Sequence, residues 1–175
     1  MKKSSFDAIA RALNEAQVPF LVVGGIAVIS HGFGRITQDV DLVVRLEADI
    51  IKRAFHALEK IGYRPAVPIT AEQFADAKLR RAWQKEKGMK VLKFWSDRHR
   101  ETPLDLFVSE PFNFQQEYQA AAVRETLPGV AIRIVTLPTL LAMKREAGRP
   151  KDLADIDELS LLYGKPSSYD KEAQA

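Results

Sequence analysis

The chain of 175 residues contains no cysteine, which excludes disulfides, zinc–thiolate centres and cysteine nucleophiles. Long apolar runs are also lacking. The N-terminal MKKSSFDAIARAL has two lysines with no continuous hydrophobic stretch behind them, and no other segment reaches bilayer-crossing length. Neither a secretory leader nor a membrane anchor is therefore expected, and the cytoplasm is the expected location. The three histidines, His31, His56 and His99, lack metal-ligand spacing among themselves. There is no internal repeat, heptad run or low-complexity tract.

What is present suffices for one core. A hydrophobic content of 46% supports a single domain, and the length is too short for two ordinary ones. We expect that domain over residues 1–163 and a polar tail over 164–175. The net charge is only +3, but residues 78–100 hold nine lysines and arginines against Glu86 and Asp97. Such a stretch is either a solvated helix side or a face for a polyanion, a nucleotide triphosphate or nucleic acid. Trp83, Phe94 and Trp95 lie within it; they either stack on bases or pack in the core, and packing is expected for at least two.

Hydrophobic periodicity predicts helices over residues 4–17, with Ser4 or Ser5 as cap, and over 47–61 and 71–87. Two closing helices, LPTLLAMKREA and KDLADIDELSLLY, are separated by Gly148-Arg149-Pro150. Strands are expected at Phe20–Val23, DVDLVV, residues 89–95, PLDLFV and VAIRIVTL, with a short helix over 114–122. A hairpin through SDRHRET would bring Asp105 into the same sheet as Asp39 and Asp41.

The stretch from Val22 to Val44, VVGGIAVISHGFGRITQDVDLVV, organises the rest. On a strand, residues two apart share a face, so Asp39 and Asp41 point together while Val40 and Leu42 point into the core. Adjacent carboxylates repel and raise each other's pKa unless a cation joins them. A hard divalent metal suits them: magnesium takes oxygen ligands and keeps positions for water and substrate phosphates. Asp105, between Leu104 and Leu106, can supply a third carboxylate, and three such groups can hold two ions, with Asp105 also placed to accept a hydroxyl proton. Gly24-Gly25 ends a strand and opens a helix, offering backbone N–H groups to phosphate. The plain alternatives are strand-end acids facing solvent and a tight turn. Leu137, Leu140, Leu141 and Lys144 follow helical spacing, so Lys144 faces inward, toward either a nucleotide phosphate or a buried pair with Asp152. Arg35 either contacts phosphate or neutralises the acids.

These residues resemble the DNA polymerase beta-like nucleotidyltransferase superfamily. The likeness rests on Gly24-Gly25, thirteen intervening residues, Asp39-Val40-Asp41-Leu42, and the later Leu104-Asp105-Leu106. Within it, Arg35-Ile36-Thr37-Gln38-Asp39-Val40-Asp41 is similar to the R-x-T/S-x-D-x-D form of AbiEii-type toxin nucleotidyltransferases, over about residues 18–162. The resemblance implies an α/β (α+β) fold with a mixed, mostly antiparallel sheet and packed helices. It implies transfer of a nucleoside monophosphate from an NTP to a hydroxyl acceptor. Asp39, Asp41 and Asp105 would be catalytic and bind Mg2+, two ions, with Mn2+ as a substitute. Gly24, Gly25, Arg35, Thr37, Lys144 and Asp152 would serve the nucleotide. The implied partners are an NTP, an RNA (tRNA) or small-molecule acceptor, and an antitoxin; a non-catalytic nucleotide- or protein-binding module is the other class. Two features depart from the pattern: Gly25 lacks the hydroxyl of Gly-Ser members, and the chain has little room for the larger helical lobe of full-length AbiEii-type enzymes.

Overall fold

In the computed structural model, which describes residues 1–164, the first amphipathic helix spans Lys3–Glu15 (α1) and buries Phe6, Ile9, Ala10 and Leu13. Neither Ser4 nor Ser5 caps it. Lys2 stands at the cap with no side-chain bond, and the buried Ser5 hydroxyl lies 2.9 Å from His99 Nδ1. Phe20–Val22 (β1) leads directly into Gly24–Ser30 (α2), and an extended loop returns to Val40–Val44 (β2). Ala48–Lys60 (α3) follows, with Ile50, Ile51, Ala54, Phe55 and Leu58 inward.

After the two-residue strand Arg64–Pro65 (β3), the single helix expected over 71–87 is two helices, Ala71–Ala75 (α4) and Ala77–Lys87 (α5). Asp76 breaks it: its backbone is extended, and its carboxylate accepts from the N–H groups of Lys78 and Leu79. A side chain that caps the second helix competes with continuation of the first. Val91–Trp95 (β4) and Leu104–Phe107 (β5) form the expected hairpin, followed by Phe114–Ala120 (α6). Ala122–Leu127 (β6) pairs with Val130–Ile134 (β7) across a turn at Gly129. The chain closes with Leu137–Ala147 (α7) and Pro150–Leu162 (α8); Gly148 is left-handed between them and Pro150 opens α8. The expected tail lies outside the described residues from 165 onward.

The seven strands among the described residues form one sheet in the order β3-β4-β5-β2-β1-β7-β6. It is mixed and mostly antiparallel, as expected; only β1–β7 and β2–β5 are parallel. On β2, β4 and β5 alternate residues are wholly buried: Val40, Leu42, Leu92, Phe94, Leu104 and Leu106. Each such side chain stabilises by about 1.5–3 kcal/mol. Phe55 meets Phe74 and Phe94 at ring-centroid distances of 5.4 and 5.1 Å, which ties α3 and α4 to this face. The intervening residues, Asp41, Lys93 and Asp105, therefore project from the other face. Among the described residues no helix is long and apolar enough to cross a membrane.

Candidate active site

Pairing of β2 with β5 sets Val40, Asp41 and Leu42 opposite Leu104, Asp105 and Leu106. The apolar flanks lock both strands in register, because a one-residue slip would turn the carboxylates into the core. Asp41 and Asp105 thus stand side by side, with Asp39 just before β2, at a cleft of about 600 Å³. Gly24 and Gly25 line it, and Arg35, Thr37, Lys144 and Asp152 also border it, so the nine residues expected at the nucleotide and metal site reach one cavity.

The glycine turn is tightly packed. Gly24 is left-handed (φ 61°), and a Cβ there would lie 2.8 Å from Asp41 Cβ. Asp41 is pushed up to about 6, by burial first and then by the charges of Asp105 and Asp39, despite the opposing influence of the Gly25 backbone N–H and nearby Lys151. On β4, Lys93 faces Asp105 in register, with Nζ 2.7 Å from Oδ1. Burial favours the neutral amine of Lys93, but the hydrogen bond and charge of Asp105, with Asp39 and Asp41, hold its pKa above the usual value.

Among the described residues no three acidic or histidine side chains are gathered into a ready-made metal cage; the Asp105 carboxylate is turned to Lys93. The donor set nonetheless fits a hard divalent cation. It consists of carboxylate oxygens alone, and their repulsion, seen at Asp41, is what such a cation relieves.

The opposite wall is cationic and internally paired. Lys144, 5% exposed, donates to Asp152 at 3.1 Å and to Asp155 at 2.6 Å. Of its two expected roles the structure displays the buried pair. Arg35 is paired with Asp155 rather than with Asp39 or Asp41: its Nη2 donates to Oδ2 at 3.1 Å, and its Nε lies 2.8 Å from Oδ1 as an ion-pair contact. Arg149 Nε holds Asp152 Oδ2 at 2.5 Å. Burial works to raise the Asp152 pKa, yet hydrogen bonds from Arg149 and Lys144 bring it below the usual carboxylate value. Arg149 and Lys93 were missed as site residues, and Asp155, which closes the Lys151-Asp152-Leu153-Ala154-Asp155 stretch of the resemblance, was left without a role. Asp155 carried a usable signal, since it lies three positions after Asp152 on one helix and so shares its face. Lys93 carried none until the hairpin register was known.

No protein-family model matches the chain, and no curated protein matches it in sequence. Solved structures do. The chain is similar to ANT(2″)-Ia in complex with adenylyl-2″-tobramycin, with a TM-score of 0.56 and 13% identity over 92% of this chain and 88% of that one. It is similar to an antigenic nucleotidyltransferase-like protein from Paracoccidioides brasiliensis (TM-score 0.54, 18% identity, 91% and 75% covered). A third similar structure is JHP933 from Helicobacter pylori (TM-score 0.50, 16% identity, 92% and 67% covered). At these identities the likeness is one of architecture, and on that footing the chain has a nucleotidyltransferase fold.

Proposed function

We propose that this protein transfers a nucleoside monophosphate from an NTP to a hydroxyl-bearing acceptor, releasing pyrophosphate. The observation that carries this reading is the in-register pair Asp41 and Asp105 beside the Gly24-Gly25 turn, with Asp39 at the same cleft. Asp39, Asp41 and Asp105 would hold magnesium, two ions in this reading with manganese as a substitute, which would supply positive charge to the triphosphate. Asp105 accepts the proton of the attacking hydroxyl as that oxygen bonds to the α-phosphorus and the bond to pyrophosphate breaks. Gly24 and Gly25 let the triphosphate approach the backbone, and the Thr37 hydroxyl lies beside Gly25. Arg35, Lys144 and Asp152 form the opposite wall, whose surplus positive charge, with Arg149 and Lys151, offsets that of the phosphates.

The finer assignment is an AbiEii-type enzyme with an RNA acceptor such as tRNA, held in check by an antitoxin. It is supported by the Arg35-to-Asp41 pattern and the basic residues from 78 to 100. A second reading, a small-molecule acceptor, is favoured by a cleft sized for small ligands. Likeness to ANT(2″)-Ia, solved with an adenylylated tobramycin, supports it as well.

Incubation with each labelled NTP, magnesium, and either total RNA or polyhydroxylated small molecules tests the proposal. Label in RNA supports the first acceptor and label in a small molecule the second. No transfer to any acceptor, with nucleotide binding unchanged in Asp39→Asn/Asp41→Asn, removes the enzymatic reading and leaves a non-catalytic binding module.

A further inference from the structure

The carboxylate-bearing face of the sheet continues past Asp105. On β4, Val91, Lys93 and Trp95 share the face opposite the buried Leu92 and Phe94. Register places Lys93 beside Asp105 and Trp95 beside Arg64 on β3. A strip therefore runs from Asp105 through Lys93 and Trp95 to Arg64 at the sheet edge. Two inter-strand steps of about 4.8 Å and one two-residue step of about 6.6 Å give it a length of about 12 Å.

Trp95 is 45% exposed, whereas Phe94 is in the core and the partly buried Trp83 packs on Phe74 at 6.5 Å. A hollow of about 230 Å³ beside Trp95 is bordered by Lys60, Arg64 and Arg98, with Glu59 and Asp97. Asp97 is already engaged with Arg100 at 3.4 Å, which leaves three cations against Glu59. An open aromatic face set among cations, on a strip one side chain wide, matches a single nucleic-acid strand: bases stack on the ring and phosphates meet the cations.

Resting on the nucleotidyl-transfer reading, we infer that this strip is the acceptor track. It holds the 3′-hydroxyl end of a single-stranded nucleic acid, with one base on Trp95, a phosphate at Arg64 or Arg98, and the terminal hydroxyl delivered to Asp105. The length fits about three nucleotides at a stacked rise of about 3.4 Å. Lys93, on the same face, neutralises Asp105 and keeps the approach of the strand from being repelled.

Fluorescence anisotropy with a 5′-labelled mixed-sequence RNA 10-mer, its DNA counterpart and a blunt duplex tests the track, with binding of each NTP plus magnesium measured in parallel. Wild type is expected to bind a single strand, Trp95→Ala to bind it about tenfold more weakly, and Trp95→Phe to retain most affinity. Arg64→Gln is expected to lower the slope of log affinity against log salt by roughly 0.7. NTP binding should be unchanged in all three variants, which also shows that they fold. The RNA and DNA arms separate the two sources of such a strand. Equal affinity of wild type and Trp95→Ala, preference for the blunt duplex, or no binding of either strand overturns the track. When NTP binding is intact, those outcomes leave the nucleotidyl-transfer reading standing. Trp95-dependent strand binding by a protein that transfers nothing to any acceptor overturns the transfer reading instead.

Discussion

Thr37 fills the space that a side chain on Gly25 would need. A Cβ built on Gly25 would lie 2.8 Å from Thr37 Cβ and 3.1 Å from Arg35 Nη2, closer than real Cβ contacts allow for the first of them. The loop before β2 is thereby pressed onto the start of α2. The absent side chain at position 25 and the threonine at 37 form one fitted unit.

Gly25→Ser is accordingly expected to destabilise the protein by about 1–3 kcal/mol through overpacking. Thr37→Gly in the same chain should restore part of that loss, because it removes both the hydroxyl and the Cβ that the new side chain would meet. Urea unfolding of both singles and the double decides the point: additive losses would mean that the two positions do not share space.

Asp41 sets a pH dependence whose sign follows from its raised value. Burial and the charges of Asp105 and Asp39 push the carboxyl up to about 6 in the folded state from its ordinary value of 3.8. Between about pH 4 and 6 the folded state binds more protons than the unfolded state, so stability falls as pH rises through this window. Above it, a penalty on the order of 3 kcal/mol persists in metal-free protein. Asp41→Asn should lack this slope and melt higher than wild type at pH 7. Magnesium at pH 7 should raise the Tm of wild type and leave that of Asp41→Asn much less changed. A flat wild-type profile from pH 4 to 7 would contradict the assignment.

The buried network around Lys144 should behave as a coupled unit. Lys144→Met removes the cation shared by Asp152 and Asp155, with an expected loss of about 3–5 kcal/mol, as for one partner of a buried ion pair. Arg149 and Arg35 still hold the two acids, so the lower end of that range is expected. Combining Lys144→Met with Asp155→Leu should cost less than the sum of the singles in chemical denaturation, the signature of a shared interaction.

The central carboxylates were legible because their cues are local. An acid between two apolar residues on a strand declares its face, and Gly24-Gly25 marks the end of β1. What depended on register or partner choice was not legible. Lys93 meets Asp105 only once the hairpin is aligned, and helical spacing turned Lys144 inward without naming Asp155. β6 escaped notice because residues 122–125 are exposed and show no alternation of buried and exposed positions. The break at Asp76 was hidden by strong helix formers on both sides, where one capping carboxylate outweighed propensity.

The Arg35–Asp155 pair joins residues 120 positions apart. The entropy of closing so long a loop grows only with the logarithm of its length, yet the contact rewards the chain only after the sheet between has assembled. The cationic wall is therefore expected to form late in folding. During synthesis the carboxylate strands exist well before α8 emerges, so on the proposed function nucleotide binding should arise only when α8 docks, and acquisition of nucleotide affinity would then be a clock for the last folding event.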